Sequence, residues 1–274
     1  MYYRHNLKYD YPEKCDEHMI TVKHLRDTHF DENYEYLEKG FWRAIKKAAF
    51  WLLAGSIGFL LCKIRHGVKV VGKEKIRKNK ELFKNGAITI ANHVFTWDFL
   101  GVSMAIFPRL TVFPAWKTNF EGLNAGLIRW AGGMPIPTDS VLAMKKFNKG
   151  LKEVLESKRW LHFFPEGSMW WYYPDMRPFK KTVFRLSVQY NRPIIPLSYS
   201  FRPRKGLAKL FGKNPLATLT IGDPILPDTT LPKHEAVEKI HKEAYHIMQV
   251  LAGITPDMEN YRTNQNLDEY VKTM

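Results

Sequence analysis

The sequence predicts an α/β protein: a largely parallel twisted sheet flanked by helices, with an N-terminal membrane-contacting helical segment in front of it. Three observations predict it. Short β-rich runs alternate with amphipathic stretches through residues 67 to 253, the pattern that builds parallel sheets. A charge-free apolar run bracketed by basic residues precedes them. A hydrophobic fraction of 45% supplies a core and excludes disorder away from the termini.

In chain order, residues 1–40 form a polar N-terminal arm rich in Tyr, His, Asp, Glu and Lys. The arm has no sustained periodicity and is expected to be accessory. Its opening residues carry no apolar core behind their positive charges, so no cleavable secretory signal is expected, and the cytoplasmic face of a membrane is the expected location. Ala48 to Cys62 then runs fifteen residues without a charge, between Lys46–Lys47 and Lys63–Arg65. As a helix it would reach about 22 Å, short of the roughly 30 Å hydrocarbon core. Residues 41–66 are therefore expected to lie in one leaflet as an interfacial helix with basic flanks on phosphates. A buried core helix is the alternative.

Residues 67–253 make up the main domain. Strands are expected at 68–71, 87–91, 110–113, 161–164, 193–199 and 217–222 from their β-branched and aromatic content. Ala143, Phe147, Leu151, Val154 and Leu155 mark one helical face; Val237, Ile240, Ala244, Ile247, Met248 and Leu251 mark another. Residues 254–274 are expected to be a C-terminal tail.

Lys and Arg number 42 against 27 acids, a net charge of +15, which favours a polyanionic partner. Eight tryptophans and a 14% aromatic fraction suit the boundary between headgroups and acyl chains, so membrane lipids are expected as partners and nucleic acid is not. Cys15 and Cys62 have no zinc-type spacing, His234-Glu235 lacks the second His of a zincin, and no metal site is expected.

Two segments carry chemistry. In ITIANHVFTWDFLGV an apolar strand ends at Ala91, Asn92-His93 follows, and a helical pattern begins near Thr96. Strand-to-helix junctions of this kind are where α/β sheets hold ligands. Asp98 in the first helical turn can fold back on one ring nitrogen of His93 and leave the other to take a proton. A structural His beside a helix-terminal carboxylate is the competing interpretation. In LHFFPEGSMWWYY a strand runs into Pro165-Glu166-Gly167-Ser168, a tight turn that presents a carboxylate, either to a polar substrate or to solvent. The surroundings of Ser168 lack the Gly-x-Ser-x-Gly arrangement, which excludes a nucleophile elbow. The Met-Trp-Trp-Tyr-Tyr run is expected to form an aromatic belt at the mouth of the site, with burial in the core as the alternative.

NHVFTWD followed by FFPEGS resembles the glycerolipid acyltransferase family of the lysophosphatidate acyltransferase type. AGGMPIP (131–137) resembles its second block, a glycine and a short strand, and RPIIPLSYS (192–200) its fourth. The resemblance implies His93 as general base, Asp98 as its orienting partner, and direct attack on the thioester of acyl-CoA or acyl-carrier protein. These are co-substrates, and no cofactor is implied. Asn92, Glu166, Gly167 and Ser168 would belong to the substrate-binding blocks. Two customary phosphate-binding arginines are missing: Thr138 and Asp139 stand near one position and Met169 to Trp171 near the other. Lys117, Arg177, Lys180 and Lys181 could meet the phosphate instead, or the acceptor is another hydroxyl- or amine-bearing lipid. A non-catalytic basic binder of membranes or nucleic acid is the remaining alternative.

Overall fold

Every residue of the run Ile88–Ala91 is buried, because helices cover both faces of the sheet around it and a strand in that position must be apolar on both sides. The structure, a computed structural model, describes residues 3–23, 25–138 and 140–255. Asp139 and the tail beyond Thr255 lie outside the described residues.

Seven strands form one mixed sheet: β1 (Lys69–Val71), β2 (Ile88–Ala91), β3 (Thr111–Trp116), β4 (Gly133–Ile136), β5 (Trp160–Phe163), β6 (Ile194–Arg202) and β7 (Leu216–Ile221). Their order is β1-β7-β6-β2-β5-β3-β4. All neighbours pair in parallel except β6 and β7. The six strands expected from the sequence are β1, β2, β3, β5, β6 and β7. The seventh, β4, is the short strand of the glycine-containing block. It escapes β-branched counting because its residues are Gly, Met, Pro and Ile.

The helices are α1 (Phe41–Phe50), which passes through a π turn at Trp51–Gly55 into α2 (Ser56–Arg65), then α3 (Lys73–Lys78), α4 (Asp98–Ile106), α5 (Ala125–Ala131), α6 (Val141–Glu156), α7 (Thr182–Tyr190) and α8 (Lys233–Ala252). Ser140 caps α6 by accepting the Ala143 N–H at 3.3 Å. The expected stripe of α6 is buried at Ala143, Phe147, Leu151, Val154 and Leu155. Together with α7 and α8 it covers the face of the sheet bearing Ile88, Ile90, Leu161 and Ile194. On the other face α4 and α2 pack over Ala91, Leu197, Tyr199 and Leu219.

Helix formation through Ala44–Arg65 extends beyond the charge-free run and gives 22 residues, long and apolar enough to cross a membrane. The shortfall inferred from residues 48–62 therefore does not apply, because helix length is set by backbone hydrogen bonding and runs on through the flanking lysines. Nor is this a core helix. Leu53 is 72% exposed and Ile57 63%, and Phe41, Trp42, Leu60 and Leu61 are exposed with them.

The arm is not a polar appendage. Phe30 and Tyr36 are buried in the core beside Phe120 and Phe147, and the Tyr36 hydroxyl donates to the Phe30 carbonyl at 2.6 Å. Upstream, the arm crosses the end of the sheet where the two chemistry-bearing segments meet.

Candidate active site

Strand β2 ends by pinning itself to β6. Asn92 is buried; its Nδ2 donates to the Tyr199 carbonyl at 3.1 Å and its Oδ1 accepts the Tyr199 N–H at 2.7 Å. Asn92 thus completes a main-chain ladder, and both ends of its amide are occupied. The next residue, His93, is delivered to the rim of the sheet.

Five residues on, Asp98 opens α4. It is fully buried, and its Oδ2 accepts His93 Nδ1–H at 2.7 Å and the Val94 N–H at 2.8 Å. The helix N-terminus adds a favourable field for the carboxylate. Because Oδ2 can only accept, Nδ1 carries a proton, so in the neutral ring the lone pair is on Nε2. The ring lies flat on Phe164, centroids 3.9 Å apart at 12°, and the side chain keeps 23% of its surface open. Among the described residues no hydroxyl or thiol is hydrogen-bonded to Nε2, so no built-in nucleophile stands there.

The turn after β5 reaches the same place. Gly167 has φ +83, a backbone conformation that favours glycine, and the end of the flexible Lys180 side chain lies over it. The turn directs Glu166 inward, where it is 2% exposed. Its Oε2 accepts the His93 N–H at 2.9 Å and Arg177 Nη2 at 2.8 Å, and its Oε1 accepts the Arg177 N–H at 2.9 Å. The carboxylate that the sequence suggested would face a substrate instead braces the histidine loop. Two main-chain bonds lock the same loops together, Trp170 N–H to the His93 carbonyl at 3.1 Å and Tyr172 N–H to the Val94 carbonyl at 2.7 Å.

Arg177 is as buried as its partner. Its Nη1 donates to Ser168 Oγ at 2.6 Å and to the Cys15 carbonyl at 2.9 Å, Nη2 also meets the Ser168 carbonyl, and the guanidinium lies 4.5 Å from the Trp170 ring centre. It is committed to the Glu166 turn rather than open to a phosphate. Lys180 lies beside Gly167 and pairs with Asp16 at 3.3 Å, half-exposed. Lys181 points away, to Glu238 on α8 at 2.5 Å. Lys117 begins the 3-10 turn after β3. Of the ten residues singled out in the sequence, the structure gathers His93, Asp98, Glu166, Gly167, Ser168, Arg177 and Lys180 around one rim.

The aromatic run is packed inside the protein, correcting the expectation of a belt: Met169, Trp170 and Tyr172 are all buried. The arm covers it. Tyr11 stacks on Trp170 at 5.4 Å, Trp170 Nε1–H donates to the Glu17 carbonyl at 2.9 Å, and the Tyr11 hydroxyl donates to the Trp171 carbonyl at 2.9 Å. His18 lies on Trp116 at 4.1 Å. Its pKa is lowered, first by desolvation and then by the charge of His93, which sets it close to the site. The composition of the arm does not signal this role, since its aromatic rings and the carbonyls of Cys15 and Glu17 find their partners only once the chain crosses the sheet end.

His162 on β5 was also missed. The Thr89 hydroxyl donates to the Leu161 carbonyl at 3.2 Å, so it accepts from His162 Nδ1–H at 3.0 Å. Nε2 is then a bare, buried acceptor with no partner in the chain. Burial, then the charge of His93, pushes this ring down to about 3, so it stays neutral beneath Phe164. Among the described residues no three His, Cys, Asp or Glu side chains are gathered closely enough to hold a metal ion.

An imidazole aimed by a buried carboxylate, with its second nitrogen open at the rim of an α/β sheet, is the layout of a general-base site. Residues 67–200 match the family described as Acyltransferase. The Saccharomyces cerevisiae protein named 1-acyl-sn-glycerol-3-phosphate acyltransferase is 32% identical over 135 residues, 48% of this chain and 43% of its own. Caenorhabditis elegans acl-1, which carries the same activity in its name, is 27% identical over 188 residues, 63% of this chain and 65% of its own. The matches thus span less than two thirds of either relative. A crystal structure of the 1-acyl-sn-glycerophosphate (LPA) acyltransferase PlsC from Thermotoga maritima aligns with a TM-score of 0.47 at 21% identity, covering 76% of this chain and 78% of that one.

Proposed function

We propose that this chain is a membrane-associated O-acyltransferase of the 1-acylglycerol-3-phosphate type, working at the cytoplasmic face of a membrane. In this reading it moves a fatty acyl group from acyl-CoA or acyl-carrier protein to the free hydroxyl of lysophosphatidate. The observation that carries the proposal is the Nδ1–Asp98 bond of 2.7 Å, made within the segment that matches the acyltransferase family. His93 Nε2 takes the proton of the acceptor hydroxyl as its oxygen attacks the thioester carbonyl. The carbon–sulfur bond then breaks, and the thiolate leaves and recovers a proton. Asp98 stabilises the imidazolium formed on the way. No acyl-enzyme and no cofactor are needed. General-base help of this kind contributes about 10²- to 10⁴-fold.

A second reading keeps the reaction and changes the acceptor to another hydroxyl- or amine-bearing lipid. It is favoured by Arg177, the nearest arginine to the turn, being occupied by Glu166 and Ser168. One experiment addresses both. The purified chain in lipid vesicles is given acyl-CoA or acyl-carrier protein with a panel of lysolipids, and products are identified by mass spectrometry. Phosphatidate as the main product supports the first reading, and a product from another lysolipid supports the second. Unchanged turnover in a folded His93→Ala variant would sink both.

A further inference from the structure

A groove of about 750 Å³ opens between α2, the edge strand β1, the end of α4 and the 3-10 turn Gly206–Phe211. None of His93, Asp98, Glu166 or Arg177 lines it. Its polar lining is cationic: Lys63, Lys69, Lys73 and Arg202, with no Asp or Glu among the lining residues. The three lysines have no acidic partner among the described residues. Arg202 is held in place by Thr218 Oγ1 at 3.1 Å and by the Gly67 carbonyl, which orient it without neutralising it. The pKa of Lys73 is lowered, first by desolvation and then by the charge of Lys63, so these cations gather against their mutual repulsion.

The rest of the wall is apolar, with Phe59, Met104, Phe107 and Phe211 contributing its largest side chains. The groove opens onto a surface that water solvates poorly. Leu207 is 79% exposed and Leu210 78%, and Ile64, Leu60 and Leu61 of α2 are exposed alongside. Arg204, Lys205, Lys209 and Lys213 lie on or next to the same turn. A loop with apolar tips and a basic collar, continuous with an exposed apolar helix, has the composition of an element seated at the headgroup boundary.

We propose that this groove binds one anionic phospholipid of the bilayer. Its phosphate sits on Lys63, Lys69, Lys73 and Arg202, and one acyl chain lies along Phe59, Met104, Phe107 and Phe211. The turn Gly206–Phe211 is then a second point of membrane insertion beside α2. The partner is a membrane lipid rather than a nucleic acid or a protein, because phosphate and hydrocarbon must be accommodated side by side. The site is separate from the histidine, and the proposal stands whether or not the chain transfers acyl groups.

The test uses the full chain and vesicles of phosphatidylcholine with or without phosphatidylglycerol, read by co-flotation. Removing three cations at the groove in Lys63→Gln/Lys69→Gln/Lys73→Gln is expected to weaken binding to the anionic vesicles on the order of a hundredfold. A control that removes the same charge from the exposed face of α6, Lys145→Gln/Lys149→Gln/Lys152→Gln, is expected to lose less than a third as much on the logarithmic scale. Leu210→Ser/Phe211→Ser leaves every cation in place and is expected to weaken binding to both kinds of vesicle, which keeps the test decisive if the triple variant folds poorly. In the unmodified chain, phosphatidylglycerol with a diazirine in one acyl chain should label peptides containing Met104, Phe107 or Phe211. Equal losses in the two lysine triples, unaltered binding of the serine variant, or labelling confined to other peptides would each overturn the proposal.

Discussion

The carboxylate of Glu166 accepts the main-chain N–H of His93 at 2.9 Å. Two segments some seventy residues apart therefore form one unit, in which the turn after β5 fixes the loop after β2. Glu166 is a positioning residue here, acting through the backbone that carries the imidazole.

That placement separates two outcomes for Glu166→Gln. A carboxylate that held the acceptor would raise KM when altered. A brace for His93 lowers kcat, because the ring loses its aim while substrate contacts persist. We expect kcat to fall by about 10- to 100-fold, less than the full 10²- to 10⁴-fold of general-base help because the imidazole remains present, with KM changed less than threefold. Steady-state kinetics with a thioester donor and lysophosphatidate measure the split.

Arg177 and Glu166 are each about 1% exposed, so removing one leaves the other charged and unpaired in a dry site. Arg177→Met is expected to cost about 3–5 kcal/mol of stability, measured by urea unfolding near neutral pH. The double variant Glu166→Gln/Arg177→Met removes both charges and is expected to recover at least half of that loss. A double variant less stable than either single one would contradict a mutual compensation of charge.

Gly101 on α4 faces the Tyr199 hydroxyl, and a Cβ there would stand 2.1 Å from Oη. Tyr199 is buried and its hydroxyl donates to the Asp98 carbonyl, so the ring cannot move aside without breaking that bond. Gly101→Ala is expected to destabilise by about 1–3 kcal/mol through overpacking, and also to lower activity, since Asp98 begins the same helix. Tyr199→Phe in the same chain removes the clashing oxygen, and the two effects should combine less than additively in thermal unfolding.

The legible part of this protein was whatever depends on local pattern. β2, β5 and β6 announced themselves because buried strands must be apolar, and His93 with Asp98 could be paired because four intervening residues span a loop and one helical turn. β4 could not be found by composition, since pairing with β3 rather than propensity makes Gly133–Ile136 a strand. The direction of Glu166 was hidden for a related reason. A turn sequence states that a carboxylate is presented, but whether it faces out or in depends on Arg177, eleven residues on, and on the Cys15 carbonyl that holds that arginine. The arm was illegible because its contacts with Trp170 and Arg177, the Tyr11 ring and the Glu17 and Cys15 carbonyls, depend on where the chain is laid in space, which local pattern does not report.

Acid stability follows from the histidines whose burial outweighs every other influence and keeps them neutral. Desolvation holds His162 down to about 3 and His241 down to about 4, whereas in the unfolded chain each would bind its proton near pH 6.5. Between those values the unfolded state carries more protons than the native one. Stability is therefore fully present above about pH 6.5 and declines as the pH falls toward 4, by up to about 1.4 kcal/mol per pH unit for each ring. This is opposite in sign to a histidine stabilised by an ion pair, which would gain in the same window. His241 Nε2–H donates to the Phe179 carbonyl at 3.0 Å, and His241→Gln keeps a donor there while removing the titrating group. Urea unfolding at about pH 7 and about pH 5 should show a shallower decline in that variant, close to one proton fewer in slope. An unchanged slope would mean that His241 takes up its proton in the folded protein.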